Sequence, residues 1–152
     1  MRISAKADYA VRAVVEVAAA GEGAVVPAEA LARRQAVPGK FLEAILADLR
    51  RAGVLTGVRG AAGGYRLTRP AGEVSVADIV RAVDGPLVSV RGERPPDLEY
   101  AGPTTSLLPL WVALRACVRR VLETVTVAHL LDGELPDDVT ALTHDPQAWE
   151  NP

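Results

Sequence analysis

The hydrophobic period changes at Gly53, and that change constrains the fold more than any other feature of the chain. Before it, apolar residues recur at helical spacing. Tyr9, Ala10, Ala13, Val14, Val17 and Ala18 define a first amphipathic helix, and Gly21 and Gly23 end it. Pro27 opens a short second helix over residues 28–34, because its missing N–H would have no partner in a first turn. Ala36 and Val37 break the pattern. Pro38-Gly39 then starts a third helix that buries Leu42, Ile45, Leu46 and Leu49, and Gly53 stands where a C-terminal glycine cap belongs. Beyond it the residues read as strands: Val54-Leu55-Thr56 pairs with Tyr65-Arg66-Leu67-Thr68 across a glycine-rich tip, residues 57–64. Ser75 caps a fourth helix running to Val83, with Val76, Ile79, Val80 and Val83 on one side.

Three helices followed by a hairpin is the order of a winged helix-turn-helix. Residues 1–84 form this domain. Residues 85–103 hold Pro86, Pro95, Pro96 and Pro103 with little periodicity and read as an irregular loop. Thr104, Thr105 or Ser106 caps a long helix over 104–131, with Pro109 tolerated in its first turn. Leu107, Trp111, Leu114, Val118, Val121 and Val125 step along it as a heptad seam, widened by Leu110, Cys117 and Leu122. A helix of about 25 residues would be roughly 37 Å long, too long and apolar for one small domain to cover, so burial against a second copy is expected. Residues 132–152 form an acidic, loosely packed tail. The fold class is therefore mostly α with a small β-hairpin wing, plus a long dimerisation helix.

The net charge of -2 conceals an asymmetry. Residues 1–70 hold 11 Lys and Arg against 6 Asp and Glu, a net of +5, and residues 71–152 hold 6 against 13, a net of -7. A basic front half is the footprint of a surface that meets a polyanion. The third helix presents Lys40, Phe41 and Glu43 at the end that meets base edges in helix-turn-helix proteins. Lys40 suits a guanine edge or phosphate, Glu43 a cytosine amino group and Phe41 a thymine methyl, although Phe41 also suits a place in the core. Arg59 beside Gly60, on a projecting hairpin, suits a minor groove. Arg33, Arg34, Arg50, Arg51, Arg66, Arg69, Arg2 and Lys6 are candidate phosphate contacts, which give affinity and salt dependence rather than sequence choice.

Other functions find little support. The glycine-rich tip matches neither nucleotide-binding fingerprint and leads into a strand, so no helix N-terminus faces a phosphate. No nucleophilic triad is visible, and His129 and His144 have no ligand spacing, so no enzyme and no metal site is expected. Cys117, the one cysteine, reads as a buried packing residue on the apolar stripe rather than a redox switch. No run is apolar enough for a membrane span or signal peptide, so a cytoplasmic protein without membrane partners is expected. The competing reading is a dimeric protein-interaction module with weak or no specific DNA binding.

These residues also carry a family resemblance. The opening segment, residues 1–11, resembles that of the IscR/NsrR-type winged helix-turn-helix transcription regulators. Residues 58–67 resemble their wing, and Phe41-Leu42-Glu43, residues 49–53 and residues 76–80 match as well. The resemblance is strong to Val83 and looser to about residue 131. It implies a homodimeric regulator, often a repressor, on palindromic DNA, with Ser4, Lys6, Lys40, Phe41, Glu43 and Arg59 at positions where relatives touch DNA. Many relatives also hold an iron–sulfur cluster on three cysteines in the loop before the long helix, and some add a histidine in its first turn. The matching positions here are about Gly92, Glu99, Thr105 and Leu108, none of them a thiolate. A cluster-free member without a cofactor is expected. Its signal would then be a small molecule held near Trp111, chemistry at Cys117, or a protein effector on the acidic half.

Overall fold

The computed structural model describes residues 2–150. Helix α1 (Ala5–Ala19) starts at Ser4, whose hydroxyl accepts from the Ala7 N–H. Its apolar stripe, Ala7, Ala10, Ala13, Val14 and Val17, is fully buried. Helix α2 (Ala28–Gln35) ends at Ala36, which takes the left-handed conformation with φ 52° and turns the chain into α3 (Gly39–Arg51). The four α3 residues assigned to the core are 0–2% exposed. Each such side chain contributes about 2 kcal/mol by leaving water, so the rotation of α3 is fixed and its opposite face must be presented to solvent.

Strands β1 (Leu55–Val58) and β2 (Gly64–Leu67) pair antiparallel, with Leu55 opposite Leu67 and Val58 opposite Gly64. Val26 adds a third backbone partner, exchanging two 2.9 Å hydrogen bonds with Tyr65. This pairing explains Gly64: a Cβ there would overlap the Val26 carbonyl group. Helix α4 (Val76–Asp84) carries a full capping box between Ser75 and Asp78. It packs against α1 and α3 and closes the core.

The long helix is shorter than its apolar pattern implies. Helix α5 (Leu107–Thr124) has 18 residues, and α6 (Val127–Asp132) is separate from it. The expected continuous helix over 104–131 is thus corrected at both ends. Residues Gly102–Thr104 form a 3-10 turn, and Pro109 does fall in the first turn of α5. At the other end, the Val76 N–H donates to the Val125 carbonyl and the Val127 N–H donates to the Val74 carbonyl, both at 2.9 Å. This short bridge draws residues 125–127 out of the helical path. Thr126 and His129 then cap α6 reciprocally. Periodicity could not reveal the break, because Val125 and Val127 are apolar and buried either way. The tail is more ordered than expected: α7 (Asp137–Thr140) buries Val139, and Arg120 pairs with Asp138 at 3.5 Å.

Candidate nucleic-acid interface

The rotation of α3 sets the first part of the site. With its core face down, Lys40, Glu43 and Ala44 are exposed at the N-terminal end. Phe41 is packed on one side and open on the other. It is 39% exposed and meets the Tyr9 ring edge-on, with centroids 5.8 Å apart. Tyr9 is capped in turn by the Arg12 guanidinium, 5.1 Å from its centroid. The start of α3 is therefore braced from α1 while its outer side chains stay free to meet a ligand.

The turn before α3 is held by a network that sequence reading did not single out. Arg12 donates to the side chain of Gln35 at 2.7 Å and to its backbone carbonyl at 2.8 Å. Gln35 then donates to Glu16 at 2.6 Å, and Arg34 pairs with Glu16 at 3.4 Å. Arg12 and Glu16 lie one turn apart on α1 and grip the end of α2. Their spacing was the available signal, but the partner at position 35 lies on another element and leaves no local trace.

The wing supplies the second part. Arg59 and Gly60 are exposed at its tip, where Gly60 has φ +106°. Gly63 is required for the tight return, since a Cβ would strike the carbonyl oxygens of Val58 and Gly60. Arg50, in the last turn of α3, extends along the wing, and a Cβ on Gly57 would lie 3.5 Å from its Cδ. Arg50 thus joins α3 to the hairpin face that holds Gly57 and Tyr65. Arg66 stands on the other face, opposite Thr56 in register, in a cleft walled by Glu22 near the end of α1. Arg33 is exposed in the last turn of α2. Arg69 is drawn inward to Asp78 at 2.7 Å.

Ser4 and Lys6 are held within the fold. The Ser4 hydroxyl donates to Asp84 at 2.5 Å while capping α1. The Lys6 ammonium pairs with Asp48 at 2.7 Å and donates to the Val83 carbonyl at 2.8 Å. It therefore ties α1 to α3 and to the end of α4. The Lys6 hydrogen bond lowers the Asp48 carboxyl pKa, working against its partial burial and aided by the charges of Lys6 and Arg51.

A second clamp joins α4 to α5. Glu123 accepts from Arg119 at 2.8 Å and from Arg81. These two hydrogen bonds, Arg119 first, lower its pKa from 4.5 to about 2. A depressed carboxylate stabilises the fold above its unfolded pKa and loses that contribution as pH falls through the folded one. The stability gap between wild type and Glu123→Gln should accordingly narrow as pH falls from 4.5 to about 2. Thermal unfolding at a series of pH values checks this.

Helix α5 has no fully buried residue. Trp111, Leu114 and Val118 face Val80, Leu87 and Val88 of the same chain across a cleft of about 430 Å³. Leu107 and Val121 are half-buried, and Val125 is buried within the chain. Turned away from the cleft are Leu110, 54% exposed, with Ala113 and Cys117. Cys117, expected to be buried, is thus exposed, because α4 and the loop cover only one side of the apolar stripe. The Trp111 indole N–H donates to the Tyr100 hydroxyl at 3.0 Å, pinning the loop to α5.

The residues at the four cluster-ligand positions do not fit an iron–sulfur cluster. Gly92 and Glu99 are exposed, the Thr105 hydroxyl donates to the Gly102 carbonyl, and Leu108 offers no donor. Among the described residues, no group of three or more His, Cys, Asp or Glu is placed to hold a metal ion. The single thiol is exposed and is not part of the cleft lining. Among these residues no helix is long and apolar enough to cross a membrane.

Comparison with known proteins agrees with this geometry. Residues 3–133 match the Rrf2 family, described as an iron-dependent transcriptional regulator. A Mycobacterium tuberculosis H37Rv protein named as an HTH-type transcriptional regulator, Rv1287, is 49% identical over 151 residues, covering 99% of this chain and 94% of its own. IscR of Klebsiella pneumoniae, an HTH-type transcriptional regulator, is 29% identical over 99% of this chain and 92% of its own. Among solved structures, CymR, the global cysteine regulator of B. subtilis, superposes with a TM-score of 0.73 at 28% identity, covering 87% of this chain and 97% of that one. IscR of T. potens gives 0.70 at 29% identity, covering 88% of each chain.

Proposed function

The chain belongs to the Rrf2 family of transcriptional regulators, and from that premise we propose that it is a cytoplasmic homodimer that represses transcription from palindromic operators without an iron–sulfur cluster. Each subunit places the start of α3 in a major groove, with Lys40, Phe41 and Glu43 toward base edges, and Arg59 of the wing in an adjacent minor groove. Arg33, Arg50 and Arg66 meet phosphates, while Ser4 and Lys6 act from within the fold, seating α1 against α3 and α4. The observation that carries this reading is the pairing of two exposed elements, the α3 N-terminus and the Arg59 tip, on a frame braced by Arg12, Lys6 and Arg50.

The dimer contact runs along α5. Leu110, Ala113 and Cys117 form its open side, and Leu107 and Val121 border it. Trp111, Leu114 and Val118 support that side from within the subunit. A twofold axis across α5 turns two equal DNA-reading faces toward one duplex, which matches a palindromic site.

The absence of thiolates at the four ligand positions separates this chain from the iron-dependent description of its family. Protein purified without oxygen should be colourless, with iron and sulfide far below one equivalent per chain, and should bind DNA in that state. Brown protein with stoichiometric iron would refute the cluster-free reading.

A further inference from the structure

The cleft between α4, the loop and α5 has one polar end. Its walls are apolar along Val80, Leu87, Val88, Trp111, Leu114 and Val118, and its volume of about 430 Å³ lies within the roughly 300–1,000 Å³ of small-molecule sites. The charged residues in its lining are Arg2 and Asp84. They share one end, because Asp84 closes α4 and accepts from Ser4, two residues beyond Arg2. Neither is ion-paired with the other or with a third residue among those described. One cation and one anion in the lining of an apolar trough, with Asp84 tied to Ser4 two residues from Arg2, are complementary to a zwitterion with an apolar tail. We propose that this cleft binds a free α-amino acid with a branched or aromatic side chain. Its ammonium group meets Asp84, its carboxylate meets Arg2, and its side chain lies against Trp111 and Leu114.

The site is wired to the DNA-reading face. A ligand ammonium at Asp84 competes with the Ser4 hydroxyl, and Ser4 caps the helix whose Lys6 reaches Asp48 on α3. Occupancy therefore alters how α1 seats α3, a regulatory consequence that rests on the proposed DNA-binding function, whereas the binding itself does not. A ligand shifts DNA affinity only as far as its affinities for the two states differ.

Trp111 reports occupancy once Trp149, 77% exposed in the tail, is replaced by Phe. L-leucine and L-phenylalanine are titrated into the full-length Trp149→Phe protein, beside isoamylamine, 4-methylpentanoate and glycine. The expected result is a saturable fluorescence change for the two amino acids, with each of the three analogues about tenfold weaker or more. Asp84→Asn should weaken leucine about tenfold but leave 4-methylpentanoate unchanged, and Arg2→Ala should weaken leucine but leave isoamylamine unchanged. Circular dichroism confirms that both variants are folded. No saturable response to either amino acid, equal binding of the single-charge analogues, or folded variants that bind leucine normally would each overturn the proposal. A cleft already filled by a partner subunit gives the first of these. DNA binding that persists without any amino-acid response sinks only this inference. Leucine binding by a protein that selects no DNA sinks the proposed function instead.

Discussion

Leu110→Asp is expected to convert the protein to a monomer and to remove specific DNA binding together with it. Leu110 is 54% exposed in the subunit, so the change leaves the internal packing of each subunit alone. In the dimer the new carboxylate would sit in a desolvated seam without a partner, which is costly. Two linked half-site contacts gain about 100- to 10,000-fold over one through effective concentration, and a monomer forfeits that gain. Light scattering coupled to size exclusion should give twice the chain mass of 16.0 kDa for wild type and the chain mass for the variant. A short bis-maleimide should join wild-type subunits through Cys117, the one thiol and part of the same open side. Leu114→Asp is a poorer probe, because Leu114 lines the intrachain cleft and its loss disturbs the subunit as well. A dimeric Leu110→Asp protein that binds DNA normally would show that this side of α5 is not the contact.

The second large effect lies at the wing tip. Arg59→Ala should cost about 1–3 kcal/mol at a selected site and relax preference at the step it reads. Lys40→Ala should fall in the same range if Lys40 reaches a guanine, with relaxation at a different position. Arg50→Ala should instead weaken all sequences alike and lower the salt slope by about one unit. Arg66, on the far face of the hairpin, should matter less than Arg50. Anisotropy titrations on matched and single-base-changed duplexes at several salt concentrations separate these patterns.

The helix order, the core face of α3 and the hairpin were legible because each depends on local spacing. Leu42, Ile45, Leu46 and Leu49 mark one side of a helix whatever surrounds them, and Ser75 with Asp78 announces a cap within four residues. The break at Val125 was not legible, since it depends on a bridge to Val74 and Val76, some fifty positions earlier. The two sides of α5 were merged for a similar reason. A wide apolar stripe reads as one seam, and only the placement of α4 and the loop divides it into a side facing Trp111 and Leu114 and a side facing Leu110 and Cys117. In the candidate interface, Lys40, Glu43 and Arg59 were singled out by type and position, and the fold leaves all three exposed. The internal ties of Ser4, Lys6 and Arg12 span distant elements, so charge counting could not tell a brace from a free contact.

Selection of genomic fragments by the purified protein is the decisive experiment. After several rounds at moderate salt, the recovered fragments should share an inverted repeat, with half-sites related by the twofold axis of the dimer. Affinity for that repeat should exceed affinity for unrelated duplex by about a thousandfold or more and fall steeply as salt rises. Recovery of no common sequence by folded, dimeric protein, or an affinity indifferent to salt, would contradict the account and favour a module that binds protein rather than DNA.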